Sequence, residues 1–242
     1  MKNTSSSEKG KSGHNPFEGK PRRIGLLGGT FNPIHNGHLH IAAEVLNRLS
    51  LDQVLFIPTG ISPHKDEQDI LPACHRLKMV ELALSDKPQF SPCDIEIKRA
   101  GVSYTVDTVQ ALRDAHPGDR LFFIIGIDAF SQIKTWTLPE KLLTLCDFAI
   151  LSRPGFPFSS LPVFGPLASV DRDALRRLDT ERRAVYSVET SRETTLHFLN
   201  IPPSRISASA IRRDISAGRR PKKRLPDSVE SYIIHYNLYL GE

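Results

Sequence analysis

Short runs of consecutive apolar residues alternate along this chain with stretches whose apolar positions recur every three to four residues. The first run is Ile24-Gly25-Leu26-Leu27, and a helical pattern follows from about Gly37 through Ala42, Ala43, Val45, Leu46 and Leu49. Val54 to Ile57 predicts a second strand, ended by Pro58, and Arg76 to Leu84 a helix carrying Leu77, Val80, Leu82 and Leu84. Asp94 to Ile97 reads as a strand, and Thr105 to Ala115 as a helix with Val106, Val109 and Leu112 on one face. Leu121 to Ile125 is wholly apolar, as expected of a strand covered on both faces of a parallel sheet. Leu138 to Leu145 predicts a helix, and Phe148 to Leu151 a strand closed by Arg153-Pro154-Gly155. Residues 156–182 read as a peripheral loop and helix, and Thr195 to Leu199 as a short final strand. Ser209 to Ala217 and Ser228 to Tyr239 predict two C-terminal helices, the second with Val229, Ile233, Tyr236 and Leu240 on one stripe. Such alternation predicts an α/β fold, a doubly wound parallel sheet whose ligands lie at the carboxyl ends of the strands.

With 242 residues the chain can bury one large core. Residues 1–21 are rich in Ser, Lys and Gly and read as a disordered basic tail; residues 22–242 form one domain, with a C-terminal helical part from about 204. No apolar run approaches the roughly 20 residues that span a bilayer, and the N-terminus has no apolar core, so no membrane partner and a cytoplasmic location are expected. Cys74, Cys93 and Cys146 are too few and too far apart for a disulfide framework or a zinc site and are expected to be ordinary buried thiols. The net charge of +5 gathers in residues 1–23 and 205–224, the latter holding eight basic residues against Asp214. No interleaved aromatics accompany that stripe, so nucleic acid is a less fitting partner than a polyanionic small molecule. A homo-oligomer remains compatible with the composition.

Chemistry concentrates at the predicted strand ends. Gly28-Gly29-Thr30-Phe31-Asn32-Pro33-Ile34-His35-Asn36-Gly37-His38 joins the first strand to the first helix. Glycines there let the backbone approach an anion, a helix N-terminus offers N–H groups, and His35 and His38, three apart, can face one site. Lys65, in Pro63-His64-Lys65 after the second strand, suits a phosphate. Tyr104 and Thr105 open a helix, where capping and ligand contact are compatible uses. Gly126 and Asp128 end the most apolar strand, and Asp128 can accept hydrogen bonds from a ribose. Trp136 can stack a flat ring while Arg153 meets a carboxylate on it. Ile206-Ser207-Ala208-Ser209-Ala210-Ile211-Arg212 fits either a capped surface helix or a second anion site.

Taken together, GGTFNPIHNGH, PHK, GVSYTVDT, FIIGIDAF with Trp136, SRPG and ISASAIR resemble bacterial nicotinate mononucleotide adenylyltransferases, in order and approximate spacing, over roughly Arg23 to Leu240. The HxGH element and the ISxxxxR-type motif belong to the wider nucleotidyltransferase superfamily, which includes phosphopantetheine adenylyltransferase. The SYT stretch and the Trp-to-Arg segment narrow the substrate. The resemblance implies a Rossmann-like nucleotidyltransferase fold and transfer of AMP from ATP to nicotinate mononucleotide, with Mg²⁺ arriving with ATP and no dedicated metal ligands on the protein. It implies catalytic roles for His35, His38, Lys65 and Arg212. ATP contacts would come from Gly28, Gly29, Thr30, Phe31, His35, His38, Ser207, Ser209 and Arg212, and nicotinate nucleotide contacts from Tyr104, Thr105, Gly126, Asp128, Trp136 and Arg153. Asn32 stands where the superfamily often has Asp, and Ala208 where Ser is common.

Overall fold

The computed structural model describes residues 20–61, 70–99, 101–162, 170–180, 185–190 and 193–240. The chain runs β1 (Arg23–Gly29), α1 (Asn36–Arg48), β2 (Gln53–Pro58), α2 (Ala73–Leu84), β3 (Phe90–Pro92), α3 (Ile95–Lys98), α4 (Thr105–Ala115) and β4 (Arg120–Gly126). It continues through α5 (Ile127–Phe130), α6 (Pro139–Leu145), β5 (Asp147–Leu151), α7 (Arg172–Thr180), β6 (Val185–Glu189), β7 (Thr195–Leu199), α8 (Ala208–Ser216) and α9 (Asp227–His235). The seven strands lie in the order β3-β2-β1-β4-β5-β7-β6, all parallel except β6, which runs antiparallel to β7.

Alternation within the strands sends side chains to two cores. Ile24, Leu26, Phe123, Ile125, Phe148 and Ile150 face α4 and α6. Leu27, Phe56, Phe122, Ile124 and Ala149 face α1, α2, α8 and α9. Covering both faces is what makes Leu121 to Ile125 read as an unbroken apolar run. From β1 the chain winds outward through β2 to β3, then returns to lay β4 on the other side of β1. Strand order therefore reverses between β1 and β4, and a crevice opens there beyond their carboxyl ends.

Several expectations need correction. Asp94 to Ile97 is not a strand: the edge strand is β3, and Lys98 N–H donates to the Asp94 carbonyl at 2.9 Å to close the turn of α3. The antiparallel strand β6 had no counterpart in the apolar pattern, because its burial alternates only weakly at the sheet edge. The last helix stops at His235, and of its expected stripe Val229 and Ile233 are buried while Tyr236 and Leu240 are about half exposed. Cys146 is buried, but Cys74 is exposed on α2. The expected tail lies, apart from Lys20 and Pro21, outside the described residues. Among the described residues no helix is long and apolar enough to cross a membrane.

Candidate active site

The crevice is a cleft of about 960 Å³, at the upper end of small-molecule sites and roomy enough for two mononucleotides. Its floor is the end of β1. Gly28 is exposed there, and a Cβ on it would meet nothing within 4 Å, so the bare backbone faces the space a ligand would fill. Phe31 follows in the left-handed region (φ 47°), which a side chain rarely adopts, so the turn needs support from outside. That support comes from remote elements. Arg76 of α2, buried, donates from Nη1 to the Thr30 carbonyl at 2.9 Å and from Nε to the Leu71 carbonyl at 3.0 Å. Arg212 of α8 donates from Nη1 to the Asn32 carbonyl at 2.9 Å. Asn36 at the start of α1 ties itself to the main chain at Lys223 and Arg224.

His35 caps α1 and His38 lies one turn on, with the two imidazoles stacked 3.7 Å apart and 14° from parallel. Phe31 packs edge-on against His38 at 5.0 Å. The His35 backbone N–H donates to His38 Nδ1 at 3.2 Å, so Nδ1 is the acceptor and the neutral ring carries its proton on Nε2. Burial pulls His35 down to about 4. Burial also holds His38 well below the ordinary imidazole value, with His35 and Arg153 pushing the same way. Near pH 7 the pair is therefore two neutral hydrogen-bonding groups, suited to phosphate oxygens without repelling each other.

The same burial has a stability consequence. His197 on β7 is likewise pulled down to about 4, chiefly by burial. Unfolding returns both rings to about 6.5, so below that pH the unfolded chain binds protons that the folded one refuses, and stability falls as pH drops from 6.5 toward 4. Each histidine contributes a loss of about 2 kcal/mol at pH 5, so together they lower the melting temperature by on the order of 10 °C relative to pH 7. Thermal melts at the two pH values test this, and His197→Gln removes part of the slope; a melting temperature flat between pH 7 and 5 contradicts it.

Across the cleft, β4 ends at Gly126, and α5 carries Asp128 back over it. A Cβ on Gly126 would run into the Asp128 carboxylate and come within 3.1 Å of Arg153 Nε, so any larger residue here would force these two side chains to shift. Arg153 follows β5 and holds its Nε 3.4 Å from that buried carboxylate oxygen, which makes no hydrogen bond. Trp136 packs edge-on against Phe123 and lines the cleft, as do Tyr104 and Thr105 at the start of α4. The third wall is α8. Ser207 caps it, accepting from the Ala210 N–H at 3.3 Å.

Of the residues singled out above, Gly28, Gly29, Thr30, Phe31, His35, His38, Tyr104, Thr105, Gly126, Asp128, Trp136, Arg153, Ser207 and Arg212 all line this one cleft. Ser209 does not: the helical turn puts Ala208 and Arg212 on the cleft side, and the exposed Ser209 is rotated away. Lys65 lies outside the described residues. The basic stripe is also partly spent within the protein, since Arg219 and Arg224 pair with Asp214 and Arg220 pairs with Glu230. Among the described residues no group of three or more His, Cys, Asp or Glu is placed to hold a metal ion.

Sequence reasoning missed Arg76 and Tyr239 as supports of the turn. Arg76 left a signal: it shares the buried face of α2 with Met79, Val80 and Ala83, at spacings where a charge is out of place unless it is satisfied. Tyr239, whose hydroxyl reaches Asn32 at 2.8 Å from 207 residues away, left none.

Residues 26–214 match the model of the cytidylyltransferase-like family. The chain is 42% identical over 222 residues to the "probable nicotinate-nucleotide adenylyltransferase" of Geotalea daltonii and 40% identical over 223 residues to that of Citrifermentans bemidjiense; in both cases the match covers 90% of this chain and 98% of the relative. Among solved structures, Plasmodium falciparum nicotinic acid mononucleotide adenylyltransferase complexed with NaAD superposes with a TM-score of 0.66 at 21% identity, covering 90% of this chain and 97% of that one, which speaks for the fold. The reversed strand order with its cleft thus defines a Rossmann-like nucleotidyltransferase. Within that class, the chain belongs to the nicotinate-nucleotide adenylyltransferase family.

Proposed function

We infer that the protein transfers AMP from ATP to nicotinate mononucleotide, giving deamido-NAD and pyrophosphate as a step of NAD biosynthesis. The observation that carries this reading is the convergence, at one strand-order reversal, of the stacked His35–His38 pair and the Trp136–Arg153 wall, in a chain about 40% identical to adenylyltransferases of that name. An oxygen of the acceptor's phosphate attacks the α-phosphorus of ATP. The new P–O bond forms as the bond to the β-phosphate oxygen breaks, and pyrophosphate departs with that electron pair. No protein nucleophile and no proton transfer are required, so the enzyme's work is alignment and relief of charge repulsion.

In this reading His35 and His38 donate to ATP phosphates over the bare backbone of Gly28 and Gly29, with Thr30 and Phe31 bordering the same space. Ser207 and the start of α8 receive the outer phosphates. Arg212, with Lys65 placed there by its motif alone, offsets charge on the departing pyrophosphate. Trp136 stacks the nicotinate ring, Arg153 meets its carboxylate, and Tyr104, Thr105, Gly126 and Asp128 border the acceptor. A Mg²⁺ ion would come with ATP rather than from a protein site, since no described residues form a cage for it, and would supply offset of phosphate charge. ATP and the acceptor are metabolites of the cytoplasm, where we place the reaction.

Pyrophosphate release from Mg-ATP, compared with nicotinate mononucleotide, nicotinamide mononucleotide and phosphopantetheine as acceptors, tests the assignment. Strong preference for the first is expected; preference for phosphopantetheine rejects the substrate. Trp136→Ala is expected to raise KM for the nicotinate nucleotide about fivefold to tenfold, the lower end of what losing an aromatic stacking face costs. An effect confined to KM for ATP would remove Trp136 from the acceptor site.

A further inference from the structure

We propose that Tyr239 is a positioning residue for adenylyl transfer: from outside the cleft, it holds the turn between β1 and α1 through Asn32 and thereby sets the place of Arg212. The inference rests on the reaction read above.

Asn32 is 4% exposed, and its side-chain oxygen takes two donors, the Leu71 backbone N–H at 3.3 Å and the Tyr239 hydroxyl at 2.8 Å. A backbone amide can only donate, so the atom facing both is the oxygen and not the amide nitrogen. Tyr239 must then be the donor. Burial pushes its phenol above the ordinary value, with Arg212 and Arg76 opposing, so it keeps that proton at any pH at which the enzyme works. Tyr239 does not line the cleft; Asn32 and Arg212 do.

The Asn32 carbonyl accepts from Arg212 Nη1 at 2.9 Å. A side chain fixed at Oδ1 orients its own peptide unit, and that unit orients the guanidinium. Immediately before it stands Phe31, in the left-handed region and packed on His38. A turn of disfavoured backbone conformation stays in place only when its surroundings over-determine it. Arg76 supplies that from α2 and Arg212 from α8, while Tyr239 supplies it from the segment after α9. The last few described residues of the chain thus reach the turn that carries the reacting groups.

Tyr239→Phe deletes the hydroxyl and keeps the ring. It is expected to lower kcat about tenfold, the size that follows from leaving one buried neutral hydrogen bond unmade, with KM for the acceptor within about twofold of wild type. Because the effect runs through Arg212, the same change on an Arg212→Lys background is expected to cost less than about twofold further. Both are measured on the full chain with whichever of the three acceptors the wild type uses, so a failure of nicotinate mononucleotide rejects the substrate reading without affecting this ratio. Wild-type kcat in Tyr239→Phe overturns the proposal. An equal tenfold loss on both backgrounds also overturns it, because a general structural role would act independently of Arg212.

Discussion

His38→Ala is expected to lower kcat for pyrophosphate release by at least about a hundredfold, the cost of removing one preorganised donor if, as proposed, that donor meets charge developing on ATP. Three observations set that size. The His38 ring is pinned on Nδ1 by the His35 backbone N–H, so the donor that remains is a fixed Nε2–H. Stacking on His35 and the edge-on contact with Phe31 leave the ring little freedom to reorient when substrate arrives. Burial keeps it neutral, so its contribution is a directed hydrogen bond rather than a permanent charge. The variant also loses the side-chain partner of the first turn of α1, a cost of about 1 kcal/mol. A domain stable by about 5–15 kcal/mol remains folded after such a loss, so unfolding cannot imitate a hundredfold effect. Steady-state kinetics beside a thermal melt separates the two. His38→Gln, which restores an N–H near the same place, is expected to recover part of the activity. Near-normal turnover in His38→Ala would make the histidine a structural cap.

What could be read from the chain before its fold was known follows the range of the forces involved. The buried strand β4 and the helix α4 are strong local patterns and lie within a residue of their expected bounds. Ile95 and Ile97 alternate like a strand, yet four residues cannot distinguish the two periodicities, and packing of Ile95 against the core next to the close of β3 decides for a helical turn. The glycines and histidines of the β1–α1 turn were legible because each motif sits at one strand end, and the parallel sheet brings those ends to one side. Ser209 lies off the cleft while Ala208 and Arg212 line it, because a motif names residues and leaves out the rotation of the helix bearing them. Arg76, Arg212 and Tyr239 all terminate on the oxygens of Thr30 and Asn32, and no local pattern encodes contacts that span 46, 180 and 207 residues.

Gly37→Ala is expected to lower kcat between about tenfold and a hundredfold while leaving the protein folded, an outcome opposite to helix propensity. Gly37 is the second residue of α1, and replacing glycine by alanine within a helix ordinarily gains about 0.5–1 kcal/mol. Here the new methyl would lie 2.8 Å from Ser204 Oγ and 3.0 Å from both Cε1 and Nδ1 of His35. Ser204 can turn its hydroxyl aside, giving up a long 3.3 Å bond from the Ile206 N–H. His35 cannot yield so easily: its ring is buried with His38 stacked 3.7 Å behind it, so a displacement of a few tenths of an ångström passes from one imidazole to the next. Misplacing a reacting geometry by about 1 Å costs about a hundredfold, and the smaller shift sets the lower bound of the range. The melting temperature should change little, because the propensity gain offsets the crowding, so stability and activity part company in this variant. Unchanged kcat would mean that the first turn of α1 can move as a unit, and that the contact between Gly37 and His35 does not constrain the histidine pair.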